Sequence, residues 1–267
     1  MRSRHFTTIA TSLLVLFSLL SVTPMAAASV SLNPNLRASG TSSSLNWAGY
    51  AVTGPSGSVT TVAGSFVQPS VSCSKKTTYA AFWAGIDGYS DSTVEQAGTL
   101  VQCSHGSPVY SAWTEFYPAA PTYATWTPSP GDVISITVAC TAVSGGASCT
   151  ATVTDGANSY SNTATVSGAQ LSDAECITER PAIGGSLTTL ANFGTAYYGQ
   201  DNTGVSGTCY ATIGGSTQPF GSFSSVTSIN MVTSAGKTLA TTSPLSSDGS
   251  SFSVAFGGSS SGSHGRP

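Results

Sequence analysis

The sequence predicts an all-β, antiparallel fold built as a single domain, a sandwich or a barrel, on three observations. Eleven short runs rich in Val, Ile, Thr, Tyr and Phe recur between Val59 and Phe256, each bounded by Gly, Pro, Ser, Asn or Asp. Helical periodicity is nearly absent from the same stretch. No internal repeat or break in composition divides it.

Taken in order, the chain opens with a basic start at Met1–His5 and an apolar run from Ile9 to Val22. Ala26-Ala27-Ala28 precedes Ser29 with small-residue cleavage spacing. Residues 1–28 therefore read as a secretory signal peptide, and no later stretch is apolar over the 18 or so residues a spanning helix needs. Residues 29–44 are Ser, Asn, Ala and Gly rich without periodicity and are expected to be a flexible arm or short propeptide. Regular structure is expected over 45–256, beginning at Leu45 to Val52. Strands are expected at 59–67, 79–86, 94–102, 109–117, 133–140, 149–153, 160–166, 174–180, 193–198, 226–232 and 251–256. Residues 186–192 are the one segment with a helical leaning. Gly257 to Pro267 is a Gly/Ser tail expected to be disordered.

One stretch organises the rest. In Phe82-Trp83-Ala84-Gly85-Ile86-Asp87-Gly88 the alternation puts Trp83, Gly85 and Asp87 on one side; in the next strand Val94, Gln96 and Gly98 share a side. Glycines at Gly85 and Gly98 suggest a floor on which an extended ligand could lie. On this stretch alone, a plain hairpin with Gln96 facing water is the commoner case.

Charge bounds the function. Charged residues make up 7% of the chain, against about 25% in ordinary soluble domains. Removing the leader takes Arg2 and Arg4 and leaves six Lys/Arg against eleven Asp/Glu, so the formal charge moves from −3 to −5. No basic stripe is present to hold phosphates, so nucleic acid is not expected as a partner. Scarce cations also limit self-repulsion in acid, which points to an acidic working medium.

Six cysteines lie beyond the leader, an even number that favours disulfides. The expected pairs are Cys73–Cys103, Cys140–Cys149 and Cys176–Cys209. No CxxC occurs and only His105 and His264 remain after the leader, so a zinc site is not expected.

The same two histidines, in a loop and in the tail, make a Ser-His-Asp or Cys-His site improbable, and no GxSxG, P-loop or HExxH pattern occurs. Carboxylates and amides remain. Asp91, Asp132, Asp155, Asp201 and Asp248 sit in turn-like settings. Asp87, Glu95, Glu115, Glu175 and Glu179 lie in or beside apolar strands and are the candidates for chemistry, although each alone is more often a structural acceptor.

Six motifs, in order, carry a resemblance: Asn46-Trp47-Ala48-Gly49-Tyr50, Trp83 to Gly88, Glu95-Gln96-Ala97-Gly98, Ala112 to Pro118, Pro130-Gly131-Asp132 and Ala174 to Pro181. Together they resemble the glutamic peptidases, or eqolisins. The resemblance implies a jelly-roll, concanavalin-like β-sandwich and a secreted endopeptidase acting on polypeptides in acid through a Gln/Glu dyad, with no metal, cofactor or covalent intermediate. Carried over by motif, the catalytic pair falls on Gln96 and Glu175. Trp83, Asp87, Glu115 and Glu179 form the substrate-binding set, Trp83 lining the cleft and the three acids supporting it. Where the fungal pattern has a Trp, this chain has Cys176.

The competing expectation is a secreted carbohydrate-binding or glycoside-cleaving jelly roll, with Trp83, Trp113, Tyr117 and Trp126 as sugar platforms and two carboxylates for hydrolysis. A non-enzymatic surface protein is the third reading. A monomer without membrane attachment is the default.

Overall fold

The structure, a computed structural model, describes residues 30–36 and 42–257. The expected leader and most of the Gly/Ser tail lie outside the described residues. Two large antiparallel sheets face each other, as the alternating strands predict. One has seven strands in the order Thr227–Ile229, Trp47–Thr53, Asp173–Glu179, Thr78–Ile86, Val94–Ser104, Ser107–Tyr117 and Thr122–Tyr123. The other has ten, with Val59–Val67 at its centre beside Val133–Val143, and Gly146–Asp155 and Asn158–Ser167 continuing to one edge.

Period-two patterning sorts the residues of the seven-stranded sheet. Ala48, Tyr50, Phe82, Ala84, Ile86, Ala97, Val101, Ala112 and Cys176 point inward, where they meet Phe66, Ile134, Ile136 and Tyr198 of the ten-stranded sheet. Phe82 packs on Phe66 and edge-on to Phe193 at centroid distances of 5.8 and 5.5 Å, tying the layers together. Trp47, Ala81, Trp83, Leu100, Trp113 and Ile177 point the other way and form a second apolar cluster on the outer face.

That outer cluster is roofed by residues 30–36. Val30–Ser31 pairs with Ala182–Ile183, which pairs with Ser186–Leu187, making a small three-stranded sheet. Residues 30–36 thus run across the outer face rather than forming a free arm. The sequence shows no sign of this because the segment is held largely through main-chain groups.

Two other expectations change. Residues 186–192 supply a short strand and isolated bridges, and the described helical turns are Gln200–Thr203 and Phe220–Ser222. Cys73–Cys103 and Cys140–Cys149 are disulfides, but Cys176 and Cys209 are buried thiols whose sulfurs lie 3.1 Å apart. This is well beyond a bond of about 2.05 Å. The third expected bridge is therefore a contact between neighbours and not a covalent link.

Phe82→Ala, which empties the junction between the sheets, is expected to cost about 3–5 kcal/mol in urea unfolding. Val109→Ala, on a side chain 60% exposed, is expected to stay within about 0.5 kcal/mol. Equal losses would contradict the assignment of the core.

Candidate active site

Strand register assembles the site. Glu175 is opposite Gly85, Gly85 is opposite Gln96, and Gln96 is opposite Glu115. Residues directly opposed in an antiparallel sheet share a face, so three functional side chains stand in one row on the outer face, with a glycine between the first two. Adjacent strands are about 4.8 Å apart, so Glu175 and Gln96 are separated by about 10 Å at the backbone with no side chain between them.

The Gln96 amide is oriented. Its Nε2 donates to Glu115 Oε2 at 2.8 Å and, more weakly, to the main-chain carbonyl of Leu32 at 3.4 Å. Glu179, two rows further along on the same face, accepts from Trp83 Nε1 at 2.9 Å and from the Asn33 backbone N–H at 3.0 Å. Trp47 meets Trp83 edge to face at 4.9 Å, so aromatic rings form the apolar part of this surface. Glu175 differs: it is fully buried and accepts from no backbone or side-chain donor, and its one neighbour for a hydrogen bond is the Asp173 carboxyl, to which the protonated acid can donate. Gln96 Oε1, Glu115 Oε1 and Trp113 Nε1 are likewise buried and unpartnered. Polar groups in such a state are rare in folded proteins; Glu95 Oε1 and Oε2 and Thr99 Oγ1 share it on the inter-sheet face, so Glu175 is singled out by its row with Gln96 and not by the missing donor alone.

A clasp of acids fixes the Glu175 strand. Asp87, in the left-handed region at φ 66°, accepts the backbone N–H groups of Gln170, Leu171 and Ser172 at 2.7–2.8 Å. Asp91 accepts from Gly88 N and Thr93 N, and from Ser172 Oγ. Asp173 accepts from Tyr89 N, Ser90 Oγ and Ser172 Oγ. The turn after the Trp83 strand is thereby tied to the loop that enters the Glu175 strand, and the Glu175–Gly85 register follows.

Burial dominates the electrostatics. Glu175 is pushed well above the ordinary carboxyl range by burial and then by Asp173 beside it. Glu115 is raised in the same direction by burial and by Glu179. Glu179 is raised to about 8, burial outweighing its donors, and Asp91 to about 7 through burial and the neighbouring Asp87 and Asp173. On the opposite, inter-sheet face, Glu95 is raised to about 9, chiefly by burial. Each is a carboxyl favoured in its neutral form.

Comparison with known proteins gives this geometry a lineage. The model of the Peptidase A4 family matches residues 45–256. The chain belongs to the Peptidase A4 family. Aspergillopepsin-2 of Aspergillus niger is 33% identical over 181 residues, which is 58% of this chain and 62% of that protein. The chain thus spans less than two thirds of this relative's length. Among solved structures, scytalido-glutamic peptidase with a transition-state analogue inhibitor superposes at a TM-score of 0.63 with 21% identity, over 79% of this chain and 98% of that one. The aspergilloglutamic peptidase of Aspergillus niger superposes at 0.51 with 32% identity, over 67% of this chain and 99% of that one. SCP-B of the eqolisin family, in complex with the tripeptide Ala-Ile-His, superposes at 0.59 with 20% identity, over 79% and 98%. At 20–21% identity the likeness is one of fold.

Within this Peptidase A4 chain, Gln96, Glu175, Glu115, Glu179 and Trp83 lie on one face, and Asp87 does not act with them. Its carboxylate is consumed by three backbone N–H groups, so the structure gives it a positioning role in place of the expected contact with substrate. Gly85 and Gly98 relieve crowding and do not leave an open floor. A Cβ at Gly98 would come within 2.2 Å of Phe82 O, and one at Gly85 within 2.9 Å of Gln96 Cβ and 3.1 Å of Trp83 Cζ3. Asp173 was findable: it stands two residues before Glu175, on the same face of the strand. Asn46, which also reaches the covering segment, carried no such signal.

Neither acidic grouping is a convincing metal centre. Asp87, Asp91 and Asp173 offer oxygens within 4.8 Å of one another, but each of the six oxygens already accepts a protein donor. Glu95 neighbours Cys140 and Cys149, whose sulfurs are spent in a disulfide.

These raised values fix the sign of a pH effect. A carboxyl that holds its proton more tightly when folded contributes stability that is complete below the unfolded value of about 4.3 and is lost as pH rises through the folded value. With Glu179 at about 8 and Glu95 at about 9, the melting temperature is expected to be highest below about pH 4.5 and to fall steadily toward pH 9. Glu95→Gln should flatten the alkaline part of that fall. A melting temperature that climbs between pH 5 and 9 would contradict the assignment.

Proposed function

We propose that this chain is a secreted endopeptidase that hydrolyses polypeptides in acid, with Glu175 as general base and Gln96 as the donor to the oxyanion. One observation carries the reading. An amide held in place by a carboxyl, Gln96 on Glu115, is directed at a main-chain carbonyl lying on the same face as a carboxyl that accepts from no donor. Membership of the Peptidase A4 family supports the reaction class, and the aspergillopepsin-2 and glutamic peptidase relatives support the substrate class.

In the proposed reaction an ionised Glu175 takes a proton from water as the water attacks the peptide carbonyl. The Gln96 amide donates to the oxygen on which negative charge develops, and Glu175 returns the proton to the departing amine. Trp83 and Glu179 hold the peptide to one side of the pair. Admission of water relieves the burial that raises Glu175, returning it toward the ordinary carboxyl value, where it serves as a base in mild acid. A histidine base would be protonated there. The dyad needs no covalent intermediate. The basic, apolar and small-residue pattern of residues 1–28 supports export, and among the described residues no helix is long and apolar enough to cross a membrane.

The carbohydrate reading has no specific observation in its favour, and of its four platforms Tyr117 and Trp126 are only partly exposed. Trp83 and Trp113 are fully buried, with Trp83 bonded to Glu179, and Trp126 packs against the inter-sheet core.

Cleavage of an unfolded protein at about pH 3.5 tests the proposal. Gln96→Ala is expected to lower the rate by roughly 10²–10³, the usual worth of one oxyanion donor. Glu175→Gln should abolish cleavage while melting stays cooperative. Persistence of the wild-type rate in both variants would remove the dyad.

A further inference from the structure

The three acids of the clasp are alike in holding backbone amides and differ in what else they touch. Asp173 alone stands on the strand and the face of Glu175, two residues before it and so about 6.7 Å away along the backbone. Its carboxyl is the hydrogen-bond partner of the Glu175 carboxyl, whereas Asp87 and Asp91 act on Glu175 only through their charge. Asp173 and Glu175 are both fully buried.

The two carboxyls share one proton unequally. Asp173 Oδ1 accepts from Tyr89 N at 2.9 Å, and Oδ2 accepts from Ser90 Oγ at 2.6 Å and Ser172 Oγ at 2.8 Å. Glu175 accepts from no such donor. Three donors aimed at one carboxyl and none at the other place the proton on Glu175, with its O–H directed at Asp173. The surroundings supply no counter-charge. The Trp83 strand and its turn bring Asp87, Asp91 and Tyr89, and Glu115 stands beyond Gln96. On the other side the Trp47 strand sets Ala51 opposite Glu175, and Cys176 lies behind it on the inter-sheet face. Residues 30–36, which cover this face, carry no titratable side chain.

We propose that Asp173 is a positioning residue for the general base: it takes the O–H of the resting Glu175 acid, leaves the other Glu175 oxygen for the hydrolytic water, and by its fixed charge sets the pH at which Glu175 becomes a base. The catalytic consequence rests on the peptidase reading, but the pairing of the two acids does not. When Glu175 ionises, its proton goes to solvent and two like charges face each other, which makes Glu175 a stronger base than a lone carboxylate. In the cycle the water gives a proton to Glu175 as its oxygen bonds to the peptide carbon. Glu175 then gives that proton to the amine nitrogen as the carbon–nitrogen bond breaks. Asp173 gains and loses no proton. Its charge strengthens the base at the moment of attack and makes that base available at a higher pH than it would otherwise be.

The test is the pH profile of kcat/KM for peptide cleavage, together with the carbon-13 titration of the Glu175 carboxyl in the secreted chain, its signal identified by its loss in Glu175→Gln. In Asp173→Asn, which removes the charge and keeps the shape, the acid limb of the profile and the Glu175 midpoint are both expected to move down by about one pH unit or more, the usual reach of a neighbouring charge. Asp173→Glu, which restores the charge, should bring both back toward the parent. Asp91→Asn loosens the same clasp without touching Glu175 and should move the limb less than Asp173→Asn does. A folded Asp173→Asn protein that keeps the parent's midpoint, or that loses rate equally at every pH, would overturn the proposal. A midpoint that moves in a chain that cleaves no peptide would support the pairing and remove the peptidase reading. Should Asp173→Asn fail to fold, the unaltered chain decides. The carboxyl carbon of Asp173 should step at the pH at which Glu175 ionises, because it then loses the O–H that it accepts, and a titration without that step would equally overturn the pairing.

Discussion

Everything in the site depends on strand register. Glu175, Gly85, Gln96 and Glu115 come from four strands and meet because each is directly opposed to the next. A slip of one residue in any pairing would send that strand's side chain into the inter-sheet core. The Asp87, Asp91 and Asp173 clasp guards the most vulnerable pairing, where the Glu175 strand is separated from its neighbour by a long stretch of sequence and has no hairpin to set its alignment. The acids there hold backbone amides in place, and the proposed general base is the outer-face carboxyl that accepts from no donor.

A second constraint is the burial of charge. Six of the eleven acids, Asp87, Glu95, Glu115, Asp173, Glu175 and Glu179, are essentially inaccessible. Burying an ionised carboxylate without a partner is prohibitive, so Glu95, Glu115, Glu175 and Glu179 are accommodated as neutral acids. That arrangement is natural in an acidic medium and increasingly strained in an alkaline one. The scarcity of lysine and arginine has the same logic: few positive charges remain to repel one another when the carboxylates are neutral. Fold and proposed chemistry therefore favour the same pH range.

Much of this was legible in the sequence, and the rest was hidden for identifiable reasons. Long strands with clear alternation, such as Thr78–Ile86 and Val94–Ser104, could be read directly, and with them the shared face of Trp83, Gly85 and Gln96. Short strands such as Tyr210–Ile213 and Thr238–Thr242 escaped because four or five residues of mixed Thr, Ala and Ile carry too little pattern. Asp87 enters the substrate-binding set through the motif resemblance alone; the three amides that engage it come from a loop far away in sequence. The course of Val30–Leu36 across the outer face was invisible because the side chains that hold it bond its main-chain groups, which every sequence provides.

Gly85→Ala tests the central claim most directly, because it places one methyl group between Glu175 and Gln96 at a position where it would press on Gln96 Cβ at 2.9 Å. The account predicts a folded protein with kcat for peptide cleavage reduced more than tenfold; because the same methyl group comes within 3.1 Å of Trp83 Cζ3, KM is expected to rise as well, by less than kcat falls. A folded Gly85→Ala protein that cleaves peptides at the full rate would contradict the idea that the two side chains work as a pair across that gap.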